Sequence, residues 1–324
     1  MTTSRGPFLQ RIVKFCIYTI SWLVIFFISY NSHLKKRKSE IIFPLSTEEP
    51  LPTKPLYPYV LEEPGKCAGG SPFLLLLIPS MPHEAITRDI LRKTWANETL
   101  VKGISVVRLF LLGMPSNSST QELVKWESDI YHDIIQQDFM DTYYNLTVKT
   151  LMGIEWVSRL CPNTKYVMKV DSDMFMNPWF LIHQILKPES EQKVGFFTGL
   201  VLRYVMPFRN KGSKWYIPLS VYSRFFYPPY CSGTGYVFSG ELSGEIYKQT
   251  EQIPLIQFED VYIGLCLEKI GIKLSMPGGQ WFIGEREEYE RCKFASLVTV
   301  HHYSPDELLY LWPDFLKAQE SCHR

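Results

Sequence analysis

The chain has 324 residues, 46% hydrophobic and 21% charged, a composition typical of a globular protein and outside the range of disordered chains. Residues 1–40 contain seven basic side chains and one acid, so the rest of the chain has 27 of the 34 bases and 32 of the 33 acids, a net charge of −5. This weakly acidic body argues against nucleic acid as the main partner.

An uncharged segment near the N-terminus predicts a membrane anchor. Residues 15–32 contain no charged side chain and lie between basic residues on both sides. As a helix that rises about 1.5 Å per residue, the segment is about 27 Å long, close to the thickness of an early secretory membrane. A cleaved signal peptide is the alternative, but no small-residue cleavage site follows the segment. We therefore predict a cytoplasmic tail over residues 1–14 and a transmembrane anchor over residues 15–32.

Sequons and cysteines predict that the chain beyond the anchor lies in the lumen of the secretory pathway. Three N-glycosylation sequons begin at Asn97, Asn117 and Asn145. Six cysteines follow the anchor and allow up to three disulfides, with 15 possible connectivities. Chance sequons and buried thiols are alternatives for each feature taken alone. Together the features predict a single-pass type II membrane protein with a lumenal body.

A stem and one compact domain are predicted next along the chain. Residues 33–70 contain a basic run followed by several prolines, and proline fixes φ and removes a backbone donor. We therefore predict an extended stem over residues 33–70 and a single catalytic domain over residues 71–324.

Apolar runs in the first half of the domain predict alternating strands and helices. The strands are predicted at residues 73–78, 106–112, 133–139 and 166–170, and the helices at residues 86–95, 121–131 and 146–160. This alternation predicts an α/β fold with a mostly parallel sheet flanked by helices. Ligands bind such sheets beyond the carboxyl ends of the strands.

Asp171, Ser172 and Asp173 directly follow the predicted strand at residues 166–170. In an extended chain, residues i and i+2 project to the same side, so the two carboxylates converge. Carboxylate oxygens suit Mg²⁺ or Mn²⁺, which also bind diphosphates. A solvated turn is the alternative for the motif taken alone, and its position after a buried strand favours the metal.

Two arginines follow the first predicted strand. Arg88 and Arg92 have i, i+4 spacing, which places both on one face of a helix at the ligand-binding end of the sheet. Guanidinium groups bind phosphates and the carbonyl edges of bases. The alternative is a solvated helix face.

Charged and polar pairs in the C-terminal half are candidates for chemistry. Glu259 and Asp260 precede an apolar helical pattern, which favours either a helix N-terminus or a carboxylate base at the mouth of a cleft. His301 and His302 lie between a predicted strand at residues 297–300 and a helix that begins with a capping box. A neutral imidazole there completes a metal site begun by a carboxylate, or else both histidines lie in a polar loop. Spacing alone does not say which histidine is the ligand.

A glycine- and tyrosine-rich segment precedes a further strand pattern. Gly233 and Gly235 permit positive φ or close backbone approach, and Tyr227, Tyr230 and Tyr236 are candidates for stacking on a sugar. A tight turn before a strand explains the segment equally well.

Taken in order, these motifs resemble the vertebrate β-1,3-galactosyltransferase family over roughly residues 72–312. The motifs are Arg88…Arg92-x-Thr94-Trp95, Lys169-x-Asp171-Ser172-Asp173, Lys214-Trp215-Tyr216, Tyr227-Pro228-Pro229-Tyr230-Cys231-Ser232-Gly233-Thr234-Gly235-Tyr236, Glu259-Asp260-Val261-Tyr262-x-Gly264 and Val300-His301. Several motifs in one order are specific, although each one alone is weak.

The resemblance implies a GT-A-type fold, a UDP-sugar donor and Mn²⁺. The metal ligands fall on Asp173 and His301, with Asp171 nearer the ribose or a metal-bound water, and His302 is then not expected to be a ligand. The base falls on Asp260. The donor-binding positions fall on Arg88, Arg92, Asp171 and Ser172, and the substrate pocket on Trp215, Gly233, Gly235, Tyr236 and Glu259. Residues 278–292 match no strong pattern.

The function implied by the resemblance is transfer of galactose from UDP-galactose to O3 of an acceptor sugar such as terminal N-acetylglucosamine. The acceptor is carried by a glycoprotein or glycolipid, and the location is the Golgi membrane. Two alternatives stay open at this point: a transferase that uses UDP-N-acetylglucosamine, and a catalytically silent relative that binds glycans or chaperones a partner.

Overall fold

The computed structural model describes residues 57–276 and 279–322. The predicted tail, the predicted anchor and the predicted stem up to residue 56 lie outside these ranges. Among the helices within them, none is both long and apolar enough to cross a membrane.

Strands and helices alternate through the described residues. The strands are β1 (Tyr59–Leu61), β2 (Leu74–Pro79), β3 (Val106–Met114), β4 (Ile134–Met140), β5 (Tyr166–Val170), β6 (Met174–Met176), β7 (Phe197–Leu202), β8 (Tyr230–Ser239), β9 (Phe282–Ile283) and β10 (Thr299–His301). The helices are α1 (Ala85–Lys93), α2 (Ser118–Tyr131), α3 (Leu146–Leu160), α4 (Pro178–Phe180), α5 (Leu242–Gln249), α6 (Glu259–Lys269), α7 (Arg291–Ala295) and α8 (Pro305–Ser321). A 3₁₀ turn, Tyr143–Asn145, precedes α3, and a π-helix, Leu181–Leu186, continues α4.

The predicted alternation of strands and helices is confirmed. Each of the seven elements predicted between residues 73 and 170 is present, and α3 and β5 have the predicted bounds. The capping box before α8 is also confirmed, because the Ser304 hydroxyl accepts from the Glu307 N–H while the Glu307 carboxylate accepts from the Ser304 N–H.

The main sheet is mostly parallel, as predicted. Its strand order is β1-β4-β3-β2-β5-β8-β7, and β4, β3, β2 and β5 pair in parallel. β8 is antiparallel to both β5 and β7, so β7 runs in the same direction as β5. β1 adds an antiparallel edge to β4. A small second sheet, β6-β10-β9, follows the carboxyl end of β5.

The core lies on both faces of β2, the central strand, every residue of which is buried. On one face α3 packs closely, because Gly153 leaves room for the side chains of Leu77 and Leu111. On the other face Leu74, Leu76 and Ile78 join a cluster that includes residues of α1 and α8. Burial on both faces explains why β2 reads as a continuous apolar run.

The ordered domain begins before residue 71. β1 pairs with β4, and Cys67 forms a disulfide with Cys161 at the end of α3. Both features fall within the segment that the sequence assigned to an extended stem. The structured part of the domain therefore begins before the predicted residue 71. The prolines of this segment favoured an extended stem, but proline is compatible with a short edge strand such as β1.

Four of the six cysteines beyond residue 32 are paired. The disulfides are Cys67–Cys161 and Cys292–Cys322, whereas Cys231 and Cys266 are buried free thiols. The predicted maximum of three disulfides is not reached.

Candidate active site

The pairing of β6 with β10 brings together the carboxylate and the imidazole that the sequence predicted as metal ligands. β6 begins one residue after Asp173, and His301 lies opposite Met174 in the antiparallel ladder. The Tyr303 N–H donates to the Asp173 carbonyl at 2.9 Å, which extends the pairing by one more link. As a result, His301 Nε2 lies 3.2 Å from Asp173 Oδ2, although the residues are 128 positions apart.

The second imidazole nitrogen fixes the orientation of the ring. His301 Nδ1 lies 3.1 Å from the Gly284 carbonyl oxygen, which can only accept, so Nδ1 carries a proton and donates it. The hydrogen bond to Asp173 raises the pKa of His301 above its ordinary value. Burial is the largest single effect on Asp173 and opposes its ionisation, but the hydrogen bond and charge of His301, a backbone hydrogen bond and the charge of His302 together lower the pKa of Asp173.

These residues fit a divalent cation. The ligand atoms of Asp173, His301 and His302 lie within 4.8 Å of one another. Neighbouring ligands of an octahedral ion with bonds of about 2.1 Å are about 3.0 Å apart, close to the separation of Oδ2 and Nε2. The bond from Nδ1–H to Gly284 leaves Nε2 as the ligand atom, the arrangement common around metal-bound histidines.

His302 lies beside the two predicted metal ligands. The resemblance gave it no ligand role, yet its ring stacks on that of His301 with centroids 3.7 Å apart, and its backbone has a φ of +65°. The Arg286 guanidinium donates to the His302 carbonyl at 2.6 Å and so holds this conformation. Position and stacking therefore bring both histidines to the group.

A buried lysine connects the Asp171 side of the site to β8. Lys169 lies in β5, and its Nζ donates to Asp171 Oδ1 at 2.6 Å and to the Gly233 carbonyl. Burial disfavours the ammonium, but the charges of Asp171 and Glu259 outweigh it and raise the pKa of Lys169. Burial also raises the pKa of Asp171 above its ordinary value, against the effect of Lys169. The group of Asp173, His301 and His302 does not include Asp171.

Glu259 and Tyr236 form the buried floor of this arrangement. The Tyr236 hydroxyl donates to Glu259 Oε1, while Glu259 Oε2 lies 3.6 Å from Lys169 Nζ. Burial is the main cause that raises the pKa of Glu259 to about 7, and the charge of Asp260 adds to it. Tyr236 is fully buried and its ring stacks on Phe197, so the predicted stacking of Tyr236 on a sugar is wrong.

Asp260 lies in the first turn of α6 and is partly exposed. Its Oδ2 accepts from the Gly233 N–H at 3.2 Å, and its Oδ1 accepts from the Val261 N–H at 2.8 Å. Burial raises the pKa of Asp260 above its ordinary value, and the two backbone N–H groups oppose that rise. The carboxylate is thus oriented by the backbone while it keeps an open side.

The two predicted glycines have different surroundings. A Cβ atom at Gly233 would lie 3.0 Å from Glu259 Oε2. Glycine at this position therefore allows β8 to approach the start of α6 closely. Gly235 is buried within β8 and pairs with Val170. Its place in the substrate pocket stays a prediction.

Arg88 and Arg92 are buried in an ion-pair cluster. Arg88 donates to both carboxylate oxygens of Glu127 at 2.8 and 2.6 Å and to the Met81 carbonyl at 2.6 Å. Arg92 donates to both oxygens of Asp133 and to Glu127, each at 2.8 or 2.9 Å. Their guanidinium groups therefore bind protein acceptors, which argues against the predicted contact with the donor. Through Met81, Arg88 instead fixes the loop that follows β2.

Two further predicted residues, Ser172 and Trp215, have different surroundings. Ser172 is half-buried in the turn after β5. Trp215 belongs to a second compact unit, Phe208–Pro218, in which its ring contacts that of Phe208 and lies under Lys214.

The three sequon asparagines have different local structures. The Asn97 side chain accepts from the backbone and hydroxyl of Thr99, and Asn117 is the N-cap of α2. Asn145 donates to the Met140 carbonyl, and Thr147 of the same sequon is buried.

Lys169 belongs to one of the sequence motifs, but the motif predicted no role for it. The signal was present, because a lysine interrupts an otherwise apolar five-residue strand. Lysine is almost never fully buried unless it is paired, so its position in such a strand indicates nearby carboxylates.

Comparison with known proteins identifies the family. The family model described as "Galactosyltransferase" matches residues 86–277. The chain is 47% identical over 259 residues to "Beta-1,3-galactosyltransferase 2" of Mus musculus, covering 79% of this chain and 61% of that protein. It is 43% identical over 266 residues to "Beta-1,3-galactosyltransferase 1" of Mus musculus, covering 81% of each chain. The chain belongs to the galactosyltransferase family.

Family membership confirms the resemblance that the ordered motifs indicated. The chain spans 61% of the length of the galactosyltransferase 2 relatives, of which that of Homo sapiens is 46% identical to it. Among solved structures, the chain is similar to a glycosyltransferase involved in the glycosylation of the major capsid of PBCV-1. That similarity has a TM-score of 0.38 and 11% identity, and covers 75% of this chain and 100% of the other.

Proposed function

We propose that this galactosyltransferase-family chain transfers galactose from UDP-galactose to O3 of an acceptor sugar, such as terminal N-acetylglucosamine, and forms a β-1,3 linkage. The observation that carries the proposal is the convergence of Asp173 and His301 at 3.2 Å beyond the carboxyl end of β5, where Gly233 of the neighbouring β8 contacts Asp260. Relatives named beta-1,3-galactosyltransferases, at 43–47% identity, support the choice of galactose and linkage.

In this proposal Asp260 is the general base. Its carboxylate accepts the proton of the acceptor hydroxyl as that oxygen forms a bond to the anomeric carbon, while the bond from that carbon to UDP breaks. Attack from the face opposite UDP converts an α-linked donor into a β-linked product. The N–H groups of Gly233 and Val261 orient the carboxylate and stabilise its ionised form.

Asp173 and His301 are the proposed ligands of Mn²⁺. When bound, this ion neutralises charge on the diphosphate of the leaving group. Asp171 is held by Lys169 on the adjacent side, where its second oxygen is available to the donor ribose or to a metal-bound water. The buried Lys169 holds Asp171 by a hydrogen bond, and Glu259 pairs with Lys169 in the interior.

The surroundings of the domain are part of the same proposal. The uncharged segment at residues 15–32 serves as a type II anchor in the Golgi membrane, and the sequons and disulfides fit a lumenal GT-A-type catalytic domain.

A donor panel tests the proposed function. A secreted form that begins at residue 41 is incubated with Mn²⁺, an N-acetylglucosamine-terminated acceptor and either UDP-galactose or UDP-N-acetylglucosamine. We expect UDP release that depends on acceptor with UDP-galactose, and a β-1,3-linked product by NMR. Preference for UDP-N-acetylglucosamine would select the alternative donor, and no acceptor-dependent UDP release with any donor would indicate a silent relative.

A further inference from the structure

Two segments between β7 and β8, residues 203–207 and 219–229, leave and re-enter the sheet beside the candidate active site. β7 runs in the same direction as β5, so its carboxyl end lies at the edge where Asp171 follows β5. At that end the side chain of Leu200 packs directly on Gly284, whose carbonyl accepts from His301.

The other end of this connection lies beside the proposed base. Leu202 pairs with Tyr230 at the start of β8. Gly264 of α6 leaves room for the Tyr230 side chain, so β8 begins against the helix that carries Asp260. The second segment therefore ends at a strand that contacts α6 one turn after Asp260.

Three aromatic rings on these segments face solvent. Tyr204, Phe225 and Phe226 are 81%, 72% and 40% exposed. The rings touch one another, because Phe226 lies edge-on to both Tyr204 and Phe225, with centroids 6.2 and 4.8 Å apart. Tyr204 also has a φ of +58°, a conformation that costs a tyrosine free energy. Neither the solvent-exposed rings nor the strained backbone of Tyr204 stabilises the fold.

Backbone and ionic contacts hold the platform of Tyr204, Phe225 and Phe226 in place. The Tyr227 N–H donates to the Val205 carbonyl at 2.9 Å and joins the two segments. Arg224 donates to both carboxylate oxygens of Glu268 on α6, at 2.6 and 2.8 Å. The aromatic platform is therefore fixed to the same helix as Asp260, and such preorganisation lowers the entropic cost of binding.

We propose that Tyr204, Phe225 and Phe226 bind a pyranose ring of the acceptor by stacking against its apolar C–H face. This inference rests on the proposed function, because it requires that an acceptor hydroxyl reaches Asp260. Binding sites for small ligands combine aromatic surface with a few polar groups, and here the polar group is the base itself.

The test uses the full-length chain in detergent, with Mn²⁺, UDP-galactose and methyl β-N-acetylglucosaminide as the acceptor probe. We expect Tyr204→Ala and Phe226→Ala to raise the acceptor KM about tenfold, since truncation of a central aromatic contact costs more than about 1 kcal/mol, and to change the donor KM less than about twofold. Tyr204→Phe keeps the ring and should behave as the parent chain does.

Two further variants separate the ring from the backbone and from general effects. Tyr204→Gly relieves the strained φ but removes the ring, so it should bind acceptor as weakly as Tyr204→Ala. Trp126→Ala removes an exposed aromatic from α2, which joins β3 and β4 in the other half of the sheet, and should leave both KM values unchanged.

The outcomes distinguish this proposal from the proposed function. An unchanged acceptor KM in both alanine variants, or restoration by Tyr204→Gly, overturns the aromatic platform while galactose transfer stands. A KM change that occurs only with a lipid-linked acceptor in vesicles shows that the rings contact lipid, and also overturns it. Saturation-transfer NMR of the probe with UDP and Mn²⁺ reports binding without turnover. Ring-dependent saturation in a chain that transfers no galactose would support the platform and refute the function.

Discussion

Asp260 combines a raised pKa with two backbone donors, which is the environment expected of a carboxylate that must accept a proton near neutral pH. Asp260→Asn keeps the shape and removes the basic oxygen. We expect kcat to fall by about 10²–10⁴-fold, the usual contribution of a general base, while the affinity for UDP in the presence of Mn²⁺ changes little. Initial rates and calorimetric titration of UDP measure both. Near-normal turnover would exclude Asp260 as the base.

The proposed metal ligands give a second prediction for single residues. Asp173→Ala should remove most of the gain in UDP affinity that Mn²⁺ provides, by about tenfold or more, and leave binding without metal unchanged. Calorimetric titration of UDP with and without Mn²⁺ measures the difference. His302→Ala in the same assay shows whether the stacked second imidazole contributes. If Asp173→Ala keeps the full metal-dependent gain, the ion binds elsewhere.

Glu259 gives a prediction for pH. Its pKa in the folded chain is raised to about 7 by burial, so the folded state holds this proton more tightly than the unfolded chain does. The associated stability is complete below about pH 4.5 and is lost as the pH rises through about 7. Glu259→Gln has no such proton to lose. Relative to the parent chain it should gain on the order of 3 kcal/mol in unfolding free energy between pH 4.5 and 8, measured by urea unfolding. A difference that does not vary with pH would contradict this assignment.

At the scale of elements, α1, α2 and the residue before β4 are joined by charge rather than by apolar contact alone. Glu127 on α2 accepts from Arg88 and Arg92 of α1, and all three side chains are buried. Glu127→Gln leaves buried guanidinium charge without its partner, which costs about 3–5 kcal/mol. We expect a corresponding loss of unfolding free energy in denaturant titration.

The matched control is an exposed ion pair on α1, the helix that carries Arg88 and Arg92. Lys93 and Asp89 form an i, i+4 ion pair at 2.6 Å, with side chains 62% and 39% exposed. Asp89→Asn should cost less than about 0.5 kcal/mol. Equal costs for the two variants would mean that burial does not strengthen the Glu127 contacts. A Glu127→Gln variant with normal stability but altered UDP affinity would return Arg88 and Arg92 to the donor site.

At the scale of the whole molecule, the N-terminal boundary of the domain has a measurable consequence. A secreted form that begins at residue 71 lacks β1 and Cys67, whereas one that begins at residue 41 retains both. The Cys67–Cys161 disulfide closes a loop of 94 residues and is worth about 3–4 kcal/mol. We expect the shorter form to unfold at a clearly lower temperature in calorimetry. The double variant Cys67→Ser/Cys161→Ser of the longer form separates the disulfide from the strand. Equal melting temperatures for both forms would show that the segment before residue 71 is dispensable.

Local patterns in the sequence were sufficient for the elements of the first half of the domain and for the family. Apolar runs and helical spacing report burial within a few residues of each position, which is why β5, α3 and the start of α8 agree with prediction. The residue types of the candidate site could also be singled out from the sequence, because carboxylates directly after a buried strand and histidines beside a strand end are suitable ligands for a divalent metal ion. The order of several motifs along the chain indicated the galactosyltransferase family.

Only the tertiary structure decided how those residues are used. Asp173 and His301 meet because β6 pairs with β10, a contact across 128 positions that no local pattern encodes. The i, i+4 spacing of Arg88 and Arg92 is the same whether their helix face is solvated or buried. In the structure Glu127 of α2 pairs with both arginines, and Asp133, just before β4, pairs with Arg92 in the interior. The contacts of Tyr236 and Lys169 are also non-local. The two residues face each other because β5 pairs with β8, and both contact Glu259 of α6. The physical reason is that periodicity fixes which side of an element a residue occupies, whereas the neighbours it meets depend on non-local packing.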